Sequence, residues 1–457
     1  MRSEFLLADG YKNFNHGSFG AVPSRVMAAK RALEDRAEAR PDVWMRTDYY
    51  KYIDEARRLI AEHANADVAD VVLVENASAA VNAVLRSLPW AAGDGILLLS
   101  TAYKMVRNVA QFLVDAHGVR IVEAKVPLPL GGPEDVLAAL DAALDAAGTV
   151  TAGIRPETWA AADDGSAAAV RNPVRIAVVS HLTSNPAAVL PVAEIIRRCH
   201  ARGIPVLVDG AHAVGQLPIN LTALGAEYYV SNLHKWNFAP KTAAFLWVRR
   251  DRQEALAPEP NAISSTGRLD FVGRFAYTGT RDYTSFAAVP AAFAWRQWAG
   301  GDAAIVAYNT ELAVWAGGRL AERWGTDLLV PLSMTANMVN IRLPTPSLSA
   351  ATELQRRLAE DHDTYIVVAA TGGGTNGSSN SRDGVVYCRL SAQVPRSFWL
   401  LLSVLAGWSA SGGGLSGEGG FRGAGRLGAA TARRDRWPKP GLGRRLSVRR
   451  LTYQTWL

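Results

Sequence analysis

Cysteine is scarce in this chain: its 457 residues contain two, Cys199 and Cys388. Two thiols cannot build a disulfide framework or a cysteine-based metal centre, so both are excluded and no metal ligand is expected. The simplest setting for such thiols is a reducing compartment, which makes the cytoplasm the expected location. Long apolar runs are also lacking. The longest, Phe398–Trp408, has eleven residues and is interrupted by Ser403, whereas a membrane span takes roughly 20. The N-terminal stretch carries Glu4 and Asp9 without an apolar core, so no secretory leader is expected there.

The chain's net charge of +7 has a local origin. Residues 1–393 hold 38 basic and 40 acidic side chains, whereas the 64 residues from Val394 onward hold eleven and two. The body is therefore slightly acidic, and no nucleic-acid partner follows from the overall charge. What is present is ordinary globular composition, 49% hydrophobic and 20% charged, which rules out wholesale disorder. At about 150 residues per domain the length allows two or three domains.

Along the chain, an arm of about 20 residues ends in NFNHGSFGAVPS. Ser24 is placed to cap a helix through Arg25–Arg40, and a second helix is predicted at Tyr49–His63, with Ile53, Ala56, Leu59 and Ile60 on one face. Short apolar runs then alternate with helical stretches: VVLV (71–74), ILLLS (96–100), RIAVVS (175–180), PVLVD (205–209), EYYVSN (227–232) and AAFLWV (243–248). Continuously apolar strands separated by helices predict an α/β fold whose mostly parallel sheet is covered on both faces, over residues 21–300. A helix near Asp302–Trp324 leads into a smaller α+β domain over 301–393, with strands at 338–343, 365–369 and 385–391. The Gly/Ser-rich segment 372–384 reads as a loop, and 394–457 as an atypical basic tail.

The chemistry concentrates between residues 206 and 248. Asp209 ends a buried strand, where open α/β sheets place ligands. Lys235 lies 26 residues later, just beyond another apolar strand. A lysine at such an edge can be desolvated, which lowers its pKa and makes it a Schiff-base nucleophile. A facing carboxylate could hold a heteroaromatic nitrogen protonated. Either residue alone reads equally as a turn cap or a solvated lysine; together they point to a site. Ala77 and Ser78 open a helix directly after VVLV, so their N–H groups would face an anion, although Ser78 also reads as a simple N-cap. Arg389 sits on an apolar strand, where a buried guanidinium needs a carboxylate, from a substrate or from a salt bridge.

VDGAHAVGQ (208–216) and SNLHKW (231–236) resemble the pyridoxal 5'-phosphate (PLP) enzymes of aminotransferase class V, in the isopenicillin N epimerase-like and cysteine desulfhydrase-like branch. NFNHGSFGAVPS, RPDVWMR (40–46), ENASAAVNAVLRSL (75–88), YTGTRDYTSF (277–286) and CRLSAQV (388–394) follow the same pattern in order, so the resemblance spans about residues 10–394. It implies the PLP-dependent transferase fold type I. It further implies that Lys235 holds the cofactor as a Schiff base, that Asp209 pairs with the pyridine nitrogen, and that His212 and Ser184 lie near its phenolic oxygen. Ala77, Ser78, Asn232 and His234 would contact the phosphate. Thr280 would reach the phosphate of a neighbouring subunit, implying a homodimer with shared sites. Tyr103 would lie over the cofactor, or else be a core tyrosine. Arg389 would bind the α-carboxylate of an amino-acid substrate, with Asn15 and His16 on the substrate side unless they only shape a turn.

These residues are common to most reactions of the family. The cysteines discriminate: a desulfurase of this class needs a thiol on the 370–384 loop, which has none, and Cys388 should point to the face opposite Arg389. A persulfide mechanism is therefore set aside. The expected reaction is β-elimination from cysteine or a cysteine conjugate; epimerisation of an amino-acid group is the alternative, and a degenerate PLP-fold binding protein is the non-enzymatic one. The tail departs from the family. Removing Pro395–Thr452 joins Val394 to Tyr453 and restores RLSAQVYQTWL, a family-like continuation, so the segment reads as translated intervening sequence, with the closing helix then incomplete.

Overall fold

The computed structural model describes residues 2–147, 173–254, 258–263, 270–371 and 384–392. Most of the 372–384 loop and the whole tail from residue 393 lie outside the described residues.

Among the described residues, twelve strands form three sheets. In chain order they are β1 (Lys12–Asn13), β2 (Val71–Val74), β3 (Gly95–Leu99), β4 (Arg120–Ala124), β5 (Val174–Ser180), β6 (Val206–Asp209), β7 (Tyr228–Asn232), β8 (Ala244–Val248), β9 (Met338–Arg342), β10 (Thr364–Tyr365), β11 (Val367–Ala370) and β12 (Val386–Ser391). The seven-stranded sheet has the order β2-β8-β7-β6-β5-β3-β4. The β4-β3-β5-β6-β7 ladders are parallel, and β8 runs antiparallel to both of its neighbours. Successive side chains enter opposite cores: Val206 and Val208 pack on one face and Leu207 on the other, as do Leu97 and Leu99 against Ile96 and Leu98. That double burial is why these strands read as unbroken apolar runs.

The three-stranded sheet, in the order β11-β12-β9, is antiparallel and packs its own apolar core with the Gly301–Trp324 helix. Cys388 lies in that core while Arg389 points to the other face, as expected. The N-terminal arm is ordered by pairing: β1 runs parallel to β10, and Ser391 donates its N–H to the Phe14 carbonyl. Within that arm, Gly17 has no room for a side chain, since a Cβ there would lie 2.6 Å from Met338 Sδ and 3.2 Å from the Trp236 ring.

Several element expectations need correction. Ser24 does not cap the first long helix; it is the first residue of Ser24–Ala39, behind Pro23, with no side-chain cap. The helix after β2 begins at Ala77, and its cap is Asn76, whose Oδ1 accepts the Ala79 N–H at 2.8 Å. The Tyr49–His63 helix buries Ile53, Ala56 and Ile60 but leaves Leu59 half-buried and turns Arg57 inward. Arg57 is tolerated there because its guanidinium donates to the Val68 and Val71 carbonyls. β4 and the helix Pro133–Ala146 were not anticipated from the sequence. β4 covers the sheet's edge, and its alternating half-buried residues lack the unbroken apolar run of the inner strands.

Candidate active site

β5, β6 and β7 are adjacent and parallel, so Ser180, Asp209 and Asn232 end on one edge of the sheet. A cavity of about 160 Å³ opens there. Its walls carry Ala77, Ser78, Tyr103, Ser184, Asp209, His212, Asn232, His234 and Lys235, all anticipated from the sequence.

Lys235 Nζ is 3.1 Å from His212 Nε2. Burial lowers the Lys235 pKa to about 8; Asp209 opposes that shift and Arg389 adds to it. The same burial raises the pKa of Asp209, whose Oδ1 accepts the Ala211 N–H at 3.0 Å. No cationic side chain among the described residues forms an ion pair with Asp209, leaving a buried carboxylate without a positive partner in direct contact. Such a group calls for a bound cation or a protonated ring nitrogen. His212 is held far below its ordinary pKa by burial, then by the charges of Lys235 and Arg389.

At the start of the Ala77–Ser87 helix two asparagines divide the free N–H groups. Asn232 Oδ1 accepts from Ala77 N at 2.9 Å and Asn76 Oδ1 accepts from Ala79 N. The expected Ala77 donor is thus already engaged, which corrects that reading. Ser78 lies between the two and lines the cavity. His234 donates from Nδ1 to the Ala243 carbonyl at 3.0 Å, and burial lowers its pKa to about 4. An anion facing the ring would reverse that depression.

Arg389 is 2% exposed. Its Nη1 donates to the Ser184 carbonyl at 2.7 Å and to Ser184 Oγ at 3.1 Å, and its Nη2 to Asn15 Oδ1 at 2.7 Å and Ser18 Oγ at 2.8 Å. All four acceptors are uncharged. Its Nε has no hydrogen-bond partner among the described residues, and burial lowers its pKa to about 10. A desolvated guanidinium held only by neutral groups is the complement of a carboxylate.

His16 and Tyr103 sit differently from expectation. His16 is fully buried; its Nδ1 accepts the Ala21 N–H at 3.1 Å, and its Nε2 then donates to the Lys235 carbonyl at 3.0 Å. Both ring nitrogens are committed to backbone, so His16 braces the lysine segment rather than meeting a substrate. Tyr103 is 50% exposed at the rim, not a core residue. Thr280 is exposed and shares a hydrogen bond with the Tyr277 hydroxyl at 3.1 Å, away from this cavity. Ser18 and Asn76, which the sequence reading passed over, belong to the site. Their signal was position: each is adjacent to, or three residues from, a residue already singled out.

The class-V aminotransferase family model matches residues 159–359. L-cysteine desulfhydrase of Arabidopsis thaliana is 30% identical over 403 residues, covering 84% of this chain and 84% of that protein. The chain belongs to the aminotransferase class V family. Isopenicillin N epimerase of Streptomyces clavuligerus is 30% identical over 384 residues, covering 80% of this chain and 89% of the epimerase. Among solved structures, a cystine C–S lyase in complex with its product cysteine persulfide matches at a TM-score of 0.67 and 20% identity, covering 87% of this chain and 97% of its own, a likeness of fold.

Class V enzymes use PLP, and the residues here fit it. The buried Asp209 lacks a cation, Lys235 is a desolvated amine, and the helix start presents Ser78 to the same cavity. Among the described residues no helix is long and apolar enough to cross a membrane, and no group of three or more His, Cys, Asp or Glu could hold a metal ion.

Proposed function

We propose that this class V enzyme is a PLP-dependent lyase that cleaves the C–S bond of cysteine or a cysteine conjugate. The observation that carries the reading is the pairing of a cavity amine, its pKa lowered to about 8 by burial, with a buried guanidinium that is held by the cavity residues Ser18 and Ser184 and has no anionic partner among the described residues. In this reading Lys235 holds the cofactor, Asp209 pairs with its ring nitrogen, and His212 and Ser184 flank its phenolic oxygen. Ser78, Asn232 and His234 hold its phosphate, and Tyr103 closes the rim. When bound, PLP supplies the electron sink for the broken Cα–H bond.

The chain's own groups do the rest. Arg389 takes the α-carboxylate in a bidentate grip, with Asn15, Ser18 and Ser184 keeping its planar fork aimed. Lys235 Nζ removes the α-proton, a task for which a base near neutral pKa is suited. The thiolate leaves from Cβ, and one water completes the balance: cysteine and water give pyruvate, ammonia and hydrogen sulfide. No protein thiol takes part. Cys199 and Cys388 are the chain's two cysteines; both are buried in apolar cores with thiols raised to about 12, and neither lines the cavity. A thiol so placed is neither ionised nor reachable.

The same reading carries a division into a large domain over 21–300 and a small one over 301–393, a cytoplasmic location supported by the two free thiols, and a homodimer in which Thr280 serves the partner's site. Its test is product analysis with purified protein, PLP and L-cysteine. Pyruvate and sulfide in equal amounts support the lyase. Exchange of the α-proton with solvent deuterium, with inversion and no pyruvate, would instead support epimerisation, the reading favoured by the likeness to isopenicillin N epimerase.

A further inference from the structure

Trp236, next to the lysine, has no assigned part in the reading above. Its indole Nε1 lies 3.4 Å from His212 Nδ1 and donates to it. An indole nitrogen is only a donor, so Nδ1 must be the unprotonated nitrogen of the His212 ring. A neutral imidazole then carries its proton on Nε2, the atom 3.1 Å from Lys235 Nζ. An N–H pointing at an amine requires the amine's lone pair, hence the uncharged lysine. An ammonium in that place would meet another donor.

We propose that Trp236 is a positioning residue that fixes the tautomer of His212, so that Nε2–H faces Lys235 and favours its free amine over the ammonium. The inference rests on the reading that Lys235 carries the cofactor. The indole is well placed to impose this because it cannot turn. It is 1% exposed, its carbonyl accepts from Arg296 Nη1 at 2.7 Å, and the His16 ring packs against it with centroids 4.9 Å apart. Gly17 closes the remaining side, since a Cβ there would stand 3.2 Å from Trp236 Cζ2. Arg296 is itself held by Asp302, which also binds His63 Nδ1 at 3.1 Å. The charges around the pair act in known directions. Asp209 favours the ammonium form of Lys235 and Arg389 disfavours it, while Lys235 and Arg389 disfavour an imidazolium at His212, as His234 and His16 would if protonated.

Two measurements on the native chain without added cofactor test the proposal. Nitrogen-15 NMR of histidine-labelled protein should show His212 with an unprotonated Nδ1 and a proton on Nε2; the reverse assignment overturns it. Competitive amine labelling against pH, read by mass spectrometry at Lys235, should show the midpoint in Trp236→Phe raised by about one unit, or about tenfold less free amine at neutral pH. An unchanged midpoint in folded Trp236→Phe overturns the proposal, and if that variant does not fold the NMR assignment decides alone. Borohydride trapping of PLP on Lys235 in the unaltered protein separates the two readings. With the trapped label present, an unchanged midpoint counts against Trp236 only, whereas a missing label removes the premise as well.

Discussion

The reactive character of this site comes from taking charges out of water without neutralising them. Lys235 and Arg389 both sit below their ordinary pKa, and Asp209 above its own, with burial the largest cause in each case. Reactivity of the Lys235 amine in cofactor-free protein is therefore expected to rise with pH through a midpoint near 8, because the protonated form below it has no lone pair. Labelling against pH checks this, and a midpoint near the 10.5 of an ordinary lysine would refute it. Replacing Asp209 by Asn removes the charge that favours the ammonium, so that midpoint should fall further while PLP retention weakens. At the substrate end, Arg389→Gln gives up charge-assisted bonds worth about 1.5–3 kcal/mol, a loss of roughly 10- to 100-fold in kcat/KM carried mainly by KM.

Among the elements, the helix start at Ala77 shows how much of the site depends on backbone bookkeeping. Asn76 and Asn232 satisfy the N–H groups on either side of Ser78 and leave that one residue for an anion. Asn76→Ala should cost about 1 kcal/mol of stability through the lost cap, seen in denaturant unfolding, and should also loosen PLP binding. Gly17→Ala should cost more, about 1–3 kcal/mol, because its Cβ would press on Met338 and Trp236. This scale also shows what the sequence could and could not reveal. The buried strands were legible because residues on both faces are apolar, and Asp209 and Lys235 were legible because one ends such a strand and the other lies shortly beyond one. The fate of individual N–H groups was not. That Ala77 would donate to Asn232, 155 positions away, depends on the sheet order bringing β7 beside the helix, which no local pattern encodes. His16 misled for a similar reason: a histidine in a glycine-rich arm looks available, yet tertiary contacts occupy both of its nitrogens.

Across the whole molecule, the arm, the seven-stranded sheet and the three-stranded sheet meet at Arg389. The strand β12 presents it, the arm supplies Asn15 and Ser18, and the Ser184 segment after β5 supplies the last acceptors. A substrate carboxylate bound there would join all three, so a non-reacting amino-acid analogue should raise the unfolding midpoint of the PLP-loaded protein, and should not do so in Arg389→Gln. The central claim, however, rests on one lysine. Protein incubated with PLP, reduced with borohydride and digested should yield a pyridoxyl group on the peptide containing Lys235, and Lys235→Ala should yield none. A label on a different lysine, or no label in the unaltered protein, would contradict the account.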